Sequence, residues 1–249
     1  MRKIAIINQK GGVGKTTVAV NLSHALARKG KKVLLVDGDG QGHSTSHLGN
    51  EAENTLYEVL VENLDPKKAI INSRENLDLL PANRNVRAVS MKIASEVGRD
   101  TLLRTAMQNV KGYDYVILDC PPGIDALSFN IFLYADEALI PVNMEYLAAE
   151  SLAEMSNITF KALKDRLNHD LKINGIVGIA FDKRTKKSQE IMNMVKKAFG
   201  NKVYKTLIRT NTRISESPGS KQTIFEYDPK SNGAKDFEAL ANEFLLRKP

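Results

Sequence analysis

The 249-residue chain is 42% hydrophobic and 26% charged, so it can bury one sizeable core, and one domain over residues 1–249 is expected. No apolar run approaches the ~20 residues of a membrane-spanning helix, MRKIAIINQ lacks the apolar stretch and cleavage site of a secretory leader, and a lone cysteine, Cys120, excludes an internal disulfide framework and fits a reducing cytoplasm. The formal charge of +7 leaves two readings open, a solvated lysine-rich surface or attraction to nucleic acid or anionic lipid.

In chain order, residues 3–8 (KIAIIN) form an apolar run that enters a glycine-rich turn, as a buried strand does. Val18, Leu22, Ala25 and Leu26 recur at helical spacing, which predicts a helix over 16–29 stopped by Gly30. Residues 33–36 and 115–118 are further buried strands. The first ends in Asp37-Gly38-Asp39-Gly40, the second in Asp119 followed by Pro121-Pro122-Gly123. Strands are also expected at 138–142, 176–181 and 203–208. Helical patterns cover 55–61, 86–110 with a break near Gly98, 147–167, 188–199 and 234–246. Strands alternating with helices predict an α/β fold: a mainly parallel twisted sheet with helices on both faces. Ligands of such sheets bind at the carboxyl ends of strands, where the glycine turn, Asp37, Asp39 and Asp119 should converge.

Asn8 to Thr17 (NQKGGVGKTT) has the chemistry of a phosphate-binding loop, so the fold is expected to be that of a P-loop NTPase. A strand-to-helix turn aims backbone N–H groups from Gly11, Gly12, Val13 and Gly14 at an anion, and the helix N-terminus adds partial positive charge. Lys15 would reach the terminal phosphates of ATP and the Thr16 hydroxyl would hold Mg²⁺, with Thr17 completing the nucleotide contacts. The strict pattern G-x-x-x-x-G-K-[ST] is not met, because Gln9 stands where its first glycine belongs and Lys10 is an additional lysine. Asp119 at a strand end suits a Mg²⁺ ligand acting through water. Pro122 and Gly123 supply a stiff turn and a hinge beside the γ-phosphate. Asp37 and Asp39 would face the phosphates together if the strand persists through them. His24, His43, His47 and His169 match no metal-binding pattern and are expected as polar surface. Cys120 is expected as a small buried residue.

Positive charge gathers in the C-terminal half, at Lys183, Arg184, Lys186 and Lys187, then Lys196, Lys197, Lys202, Lys205 and Arg213. Charge alone supports a DNA-phosphate face and a solvated surface equally.

The run x-K-G-G-V-G-K-T resembles the deviant Walker A motif of the ParA/MinD ATPase family. The resemblance implies that Lys10 crosses to the nucleotide of a second subunit, so that two chains sandwich two ATP molecules. D-G-D-G-Q-G-H-S-T-S-H-L-G is similar to the family's D-x-D-P-Q-G-N-x-S-x-x-L-G. That similarity implies a water-orienting Asp39 and an Asp37 in the outer metal shell. Gly40 stands for the usual proline and His43 for the usual asparagine, and glycines on both sides of Asp39 suggest a looser switch than average. Residues 203–218 and YDPKSNGA (227–234) resemble chromosomal ParA/Soj proteins. The resemblance implies non-specific double-stranded DNA binding through Arg184 and Arg213, and nucleotide contacts from Asn211 and, across the dimer, from Glu145 in PVNMEY. It also implies a ParB-like centromere-binding partner that stimulates hydrolysis, and a nucleoid-associated place in the cytoplasm. With the first strand expected at Lys3, no preceding helix-turn-helix is expected. The mixed-charge tail 237–249 is no basic amphipathic anchor, so stable membrane association is not expected. The competing readings are a related ATPase that positions protein cargo or runs a MinD-like membrane cycle, and a small-molecule kinase or ATP-dependent ligase. A single cysteine argues against an iron–sulfur relative.

Overall fold

Eight strands form one sheet in a computed structural model that describes residues 1–96, 98–144, 152, 160–167, 169 and 171–247. They are β1 (Arg2–Ile6), β2 (Val33–Asp37), β3 (Ile71–Arg74), β4 (Leu77–Leu80), β5 (Tyr115–Asp119), β6 (Glu137–Asn143), β7 (Lys172–Phe181) and β8 (Ile208–Arg209). Their order is β3-β4-β2-β5-β1-β6-β7-β8, and only β3 runs antiparallel to its neighbour. β1, β2 and β5 are buried on both faces, which is why their sequences are near-continuous apolar runs. Alternate residues enter two separate cores. Ala5, Leu34, Val36, Val116 and Leu118 pack on one face, and Ile4, Ile6, Val33, Leu35 and Ile117 on the other. Helices Lys15–Arg28 and Asn232–Leu246 cover the second face through Leu22, Leu26, Phe237 and Phe244. Helices Leu56–Val61, Leu102–Ala106 and Ala126–Tyr134 cover the first.

Register aligns the strand ends that carry the chemistry. Asp119 pairs with Ile6 on one side and with Asp37 on the other. The glycine turn after β1 and the loops after β2 and β5 therefore leave one edge of the sheet together.

The structure departs from the sequence expectation in several places. β3 and β4 were not anticipated, since β3 is the polar edge strand INSR, and Asn76 (φ 58°) turns the chain into β4. The stretch 86–110 is a chain of short helical turns rather than a helix, broken by Glu96 and by Gly98 at φ 74°. Strand 203–208 shrinks to β8, preceded by a single bridge from Val203 to Ile176. Ala126–Tyr134 is a helix that was not foreseen. Of the expected helix 147–167, Lys161–Leu167 is helical and most of the remainder lies outside the described residues. No helix among the described residues is long and apolar enough to cross a membrane.

Candidate functional site

Helix Lys15–Arg28 starts from Gly14, whose φ of 81° turns the chain out of the loop. A Cβ there would sit 3.3 Å from the Ile179 Cγ2, whereas a Cβ on Gly11 or Gly12 would meet nothing within 4 Å, so the loop's inner wall is open. Asn8 anchors the turn: its Oδ1 accepts from the Lys10 N–H at 3.0 Å and its Nδ2 donates to the Pro141 carbonyl on β6 at 2.9 Å. The Gly123 N–H donates to the Gln9 carbonyl at 3.2 Å, tying the Pro121-Pro122-Gly123 turn to the glycine loop. The Lys15 ammonium, only 7% exposed, donates to the Lys10 carbonyl at 3.1 Å. Burial lowers its pKa, opposed by the nearby charges of Asp119, Cys120 and Asp39. The Lys10 side chain lies at the exposed rim of the turn.

The Asp119 carboxylate is fully buried. Its Oδ2 accepts from the Ser44 hydroxyl at 2.8 Å, while Oδ1 has no hydrogen-bond partner. Burial and then the charge of Asp37 raise its pKa, partly offset by the neighbouring hydroxyls of Ser44 and Thr16. Asp37 is also fully buried, and burial raises its pKa against the hydrogen bonds it accepts. Its Oδ2 accepts from the Thr45 N–H at 2.8 Å and the Thr45 hydroxyl at 2.7 Å, and its Oδ1 from the Asp39 N–H at 3.2 Å. β2 ends at Asp37, so the condition for two aspartates on one extended face is not met. The Asp39 side chain lies near the rim, 14% exposed, where its Oδ1 accepts from the Gln41 N–H at 2.9 Å and His43 Nδ1 stands 3.7 Å from Oδ2.

The glycines beside Asp39 are packed rather than loose, which corrects the expectation. A Cβ on Gly38 would lie 2.6 Å from Ile131 Cδ1 and 2.7 Å from the Asp119 carbonyl oxygen, and one on Gly40 would lie 2.3 Å from Arg87 Cγ. The histidines are a second correction. His24 is buried with Nδ1 2.6 Å from the Thr223 hydroxyl, and His47 is buried with Nε2 donating to the Gln222 carbonyl at 3.1 Å. Burial lowers both pKa values to about 4. The two rings staple residues 222–223 to neighbouring elements. His43 alone of the four is well exposed. Cys120 is buried, and burial pushes its thiol pKa up.

Beside the glycine loop lies a cavity of about 240 Å³ walled by Gly12, Thr17, Asn143, Ile179, Thr210 and Asn211. Its size and place suit the nucleoside of a nucleotide whose phosphates occupy the loop. Ala180 adopts φ 54° at its wall, and the Thr210 hydroxyl donates to the Ala180 carbonyl at 3.1 Å. Asn211, which the family resemblance implied as a nucleotide contact, lines this cavity beside Ala180 and Thr210, which carry no signal of their own in the sequence. The Asn211 Oδ1 caps helix Thr212–Glu216 by accepting from the Arg213 N–H at 2.9 Å.

Thr16 and Asp119 fit a Mg²⁺ ion. A buried carboxylate oxygen without a partner, with a hydroxyl beside the same carboxylate, supplies the hard oxygen donors the ion prefers. No cluster of three or more metal-binding side chains occurs among the described residues, as expected for an ion that keeps most of its waters and takes further ligands from phosphate.

Arg184 and Arg213 follow the adjacent parallel strands β7 and β8, on the same sheet edge as the glycine loop. Arg184 is 83% exposed and grips Asp182 through two bonds of 3.0 and 2.8 Å. Arg213 pairs with Glu216 at 3.0 Å and with Asp228 at 3.6 Å. Lys183, Lys186 and Lys187 are exposed around Arg184. Glu145 lies outside the described residues.

A family model described as "AAA domain" matches residues 1–173. The Bacillus subtilis sporulation initiation inhibitor protein Soj is 43% identical over 96% of this chain and 96% of its own length. The Thermus thermophilus chromosome-partitioning ATPase Soj is 39% identical, covering 99% and 96%. Among solved structures, cobyrinic acid a,c-diamide synthase from Mycobacterium smegmatis with bound ADP and magnesium superposes with a TM-score of 0.85 at 30% identity. The match covers 98% of this chain and 94% of that one.

Proposed function

We propose, from the premise that this chain belongs to the ParA/Soj family of P-loop partition ATPases, that its ATP cycle attaches a dimer to DNA and releases it. The chain is an ATPase that uses ATP and Mg²⁺. The observation that carries the residue assignment is the pairing of a buried, desolvated Lys15 with a buried Asp119 oxygen that lacks a partner. Each lacks what MgATP supplies: phosphate oxygens for the ammonium, a cation for the carboxylate. Backbone N–H groups of residues 11–17 and the Lys15 ammonium hold the triphosphate, with Pro122 and Gly123 facing its end. Asn211 and the adjoining cavity take the nucleoside. Thr16 and Asp119 hold Mg²⁺, Asp119 through a water and Asp37 from the outer shell. The ion neutralises charge on the phosphates when bound.

Phosphoryl transfer asks for positioning and charge neutralisation more than covalent help. Asp39 orients a water toward the γ-phosphorus and accepts its hydrogen bond. As the new P–O bond forms, the bond to the bridging oxygen breaks, ADP leaves with the electron pair, and the proton lost by the water ends on the released phosphate. Lys10 reaches the nucleotide of a second copy and Glu145 contacts it across the same interface, so assembly depends on ATP. The homodimer then offers Lys183, Arg184, Lys186, Lys187 and Arg213 to double-stranded DNA without reading its sequence. A ParB-like centromere-binding protein stimulates hydrolysis and frees the dimer, moving plasmid or chromosome DNA over the nucleoid.

Retention on a non-specific duplex, measured with ATP, with ADP and without nucleotide, tests the cycle. Retention should be strong with ATP alone and fall steeply with salt, and Asp39→Ala should prolong it. Equal retention in all three conditions overturns the switch. The fold is shared with a synthase, so an acceptor-dependent ligase is the second reading. Turnover that starts only when a carboxylic acid metabolite is added would favour it.

A further inference from the structure

The segment from Ala82 to Lys92, which follows β4 and belongs to none of the site's motifs, lies behind both loops that flank the phosphate site. Its first contact is the Ala82 N–H, which donates at 3.0 Å to the Thr45 hydroxyl that itself donates to Asp37. The Ala82 carbonyl oxygen approaches so closely that a Cβ on Gly42 would lie 2.9 Å from it. Further along, the Arg87 Nε–H donates to the Gly40 carbonyl at 3.1 Å. The Arg87 Cγ fills the space that any side chain at position 40 would need. Finally, the Ser90 hydroxyl donates to Asp125 Oδ2 at 2.7 Å and accepts from the Leu127 N–H at 3.1 Å, at the start of the helix after Pro121-Pro122-Gly123. One short stretch of chain thus braces the loop after β2 and the turn after β5 at once.

We propose that Arg87 is a positioning residue for hydrolysis, its Nε–H holding the Gly40 carbonyl and through it the turn that aims Asp39. The turn is tightly wound: the Gly42 N–H donates to the Asp39 carbonyl at 2.8 Å and the Gln41 N–H to its Oδ1. The Gly40 carbonyl and the Gln41 N–H belong to one planar peptide unit, and that N–H donates to Asp39 Oδ1, so a shift of the carbonyl moves the carboxylate's own anchor. A displacement of about 1 Å in a reacting group is enough to cost up to ~100-fold in rate. Gly40 has no side chain of its own to fix the turn, and the arginine supplies both the missing bulk and a donor. This inference rests on Asp39 orienting the attacking water.

Two variants separate the donor from the bulk and the charge. Arg87→Met keeps the stem that packs on Gly40 but has no N–H. Arg87→Gln places an amide nitrogen at the same position along the side chain as Nε, without the charge. Steady-state ATP hydrolysis is measured for both beside Asp39→Asn, together with ATP binding and thermal melting. Arg87→Met should lower kcat about tenfold with KM for ATP and the melting temperature nearly unchanged, and Arg87→Gln should recover most of the loss. Wild-type kcat in Arg87→Met overturns the proposal, as does an Arg87→Gln variant no better than Arg87→Met, or a parallel loss of ATP binding. Asp39→Asn tells the two failures apart. If it is inactive while Arg87→Met is normal, the brace alone fails; if it turns over like wild type, the reading of Asp39 fails and the brace with it.

Discussion

The two edges of the sheet handle buried charge in opposite ways. At the amino-terminal edge the Glu137 carboxylate, 1% exposed, accepts from Arg2 Nε and Nη2 at 2.7 Å each and from Asn174 Nδ2 at 2.7 Å. The Tyr204 hydroxyl donates to Asn174 Oδ1 at 2.6 Å, and the Arg247 guanidinium stacks 3.8 Å above the Tyr204 ring. Countercharge and hydrogen bonds are built in. At the carboxyl-terminal edge, Asp119 keeps one oxygen without a partner, and burial raises the pKa values of Asp37 and Asp119 and lowers that of Lys15. Burying a charge is costly unless a partner compensates it. One edge meets that cost within the chain, and the other leaves the compensation to a ligand.

The sharpest break would come from Lys15→Ala. ATP turnover should fall by roughly 10³-fold or more, since a cation aimed at developing phosphate charge is lost. Calorimetry on the ligand-free protein should show no loss of stability, because a desolvated ammonium has gone. A Lys15→Ala protein that melts far below wild type would erase the contrast between the edges. Next in size, Glu137→Ala leaves a partly buried Arg2 without its carboxylate and should cost about 3 kcal/mol in urea unfolding, the low end for a buried pair. Turnover per folded molecule should hold steady.

The third effect sharpens the comparison by placing a titrating group far along the helix that Lys15 begins. Burial depresses His24 to about 4 from an ordinary 6.5. The unfolded chain therefore binds more protons than the native one between those values. Stability conferred by neutral His24 is intact above pH 6.5 and is lost as pH falls toward 4, about 3 kcal/mol in all. Unfolding midpoints across pH 4–7 should show His24→Gln flattening that slope. An unchanged slope would mean that burial of His24 does not set the pH dependence.

Six of the strands and the phosphate loop were legible because their signals are local. A fully buried parallel strand is apolar at every position, and a glycine turn between strand and helix has few other uses. Asp119 was legible for the same reason, standing at the end of such a strand. β3 was hidden because an edge strand with one wet face can carry Asn72, Ser73 and Arg74. His24 and His47 were misplaced because their partners lie about 175 residues or more away in sequence, and nothing near them announces burial. The expectation of a loose switch failed in a similar way. Glycine reports freedom only when space is free, and at Gly38 and Gly40 the space is taken by Ile131 and Arg87. Residues 86–110 have helical periodicity, but Arg87 and Ser90 reach two different loops and Gly98 at φ 74° turns the chain, so the pattern is cut into short turns.

β1 occupies the interior of the sheet, with strands on both sides. The Arg2 guanidinium lies 4.8 Å from the Phe244 ring centre, and helix Asn232–Leu246 covers the core face to which Ile4 and Ile6 belong. Segments far apart in the sequence thus close one core, and the strand that feeds the phosphate loop is held by the non-local contacts that form slowly in folding.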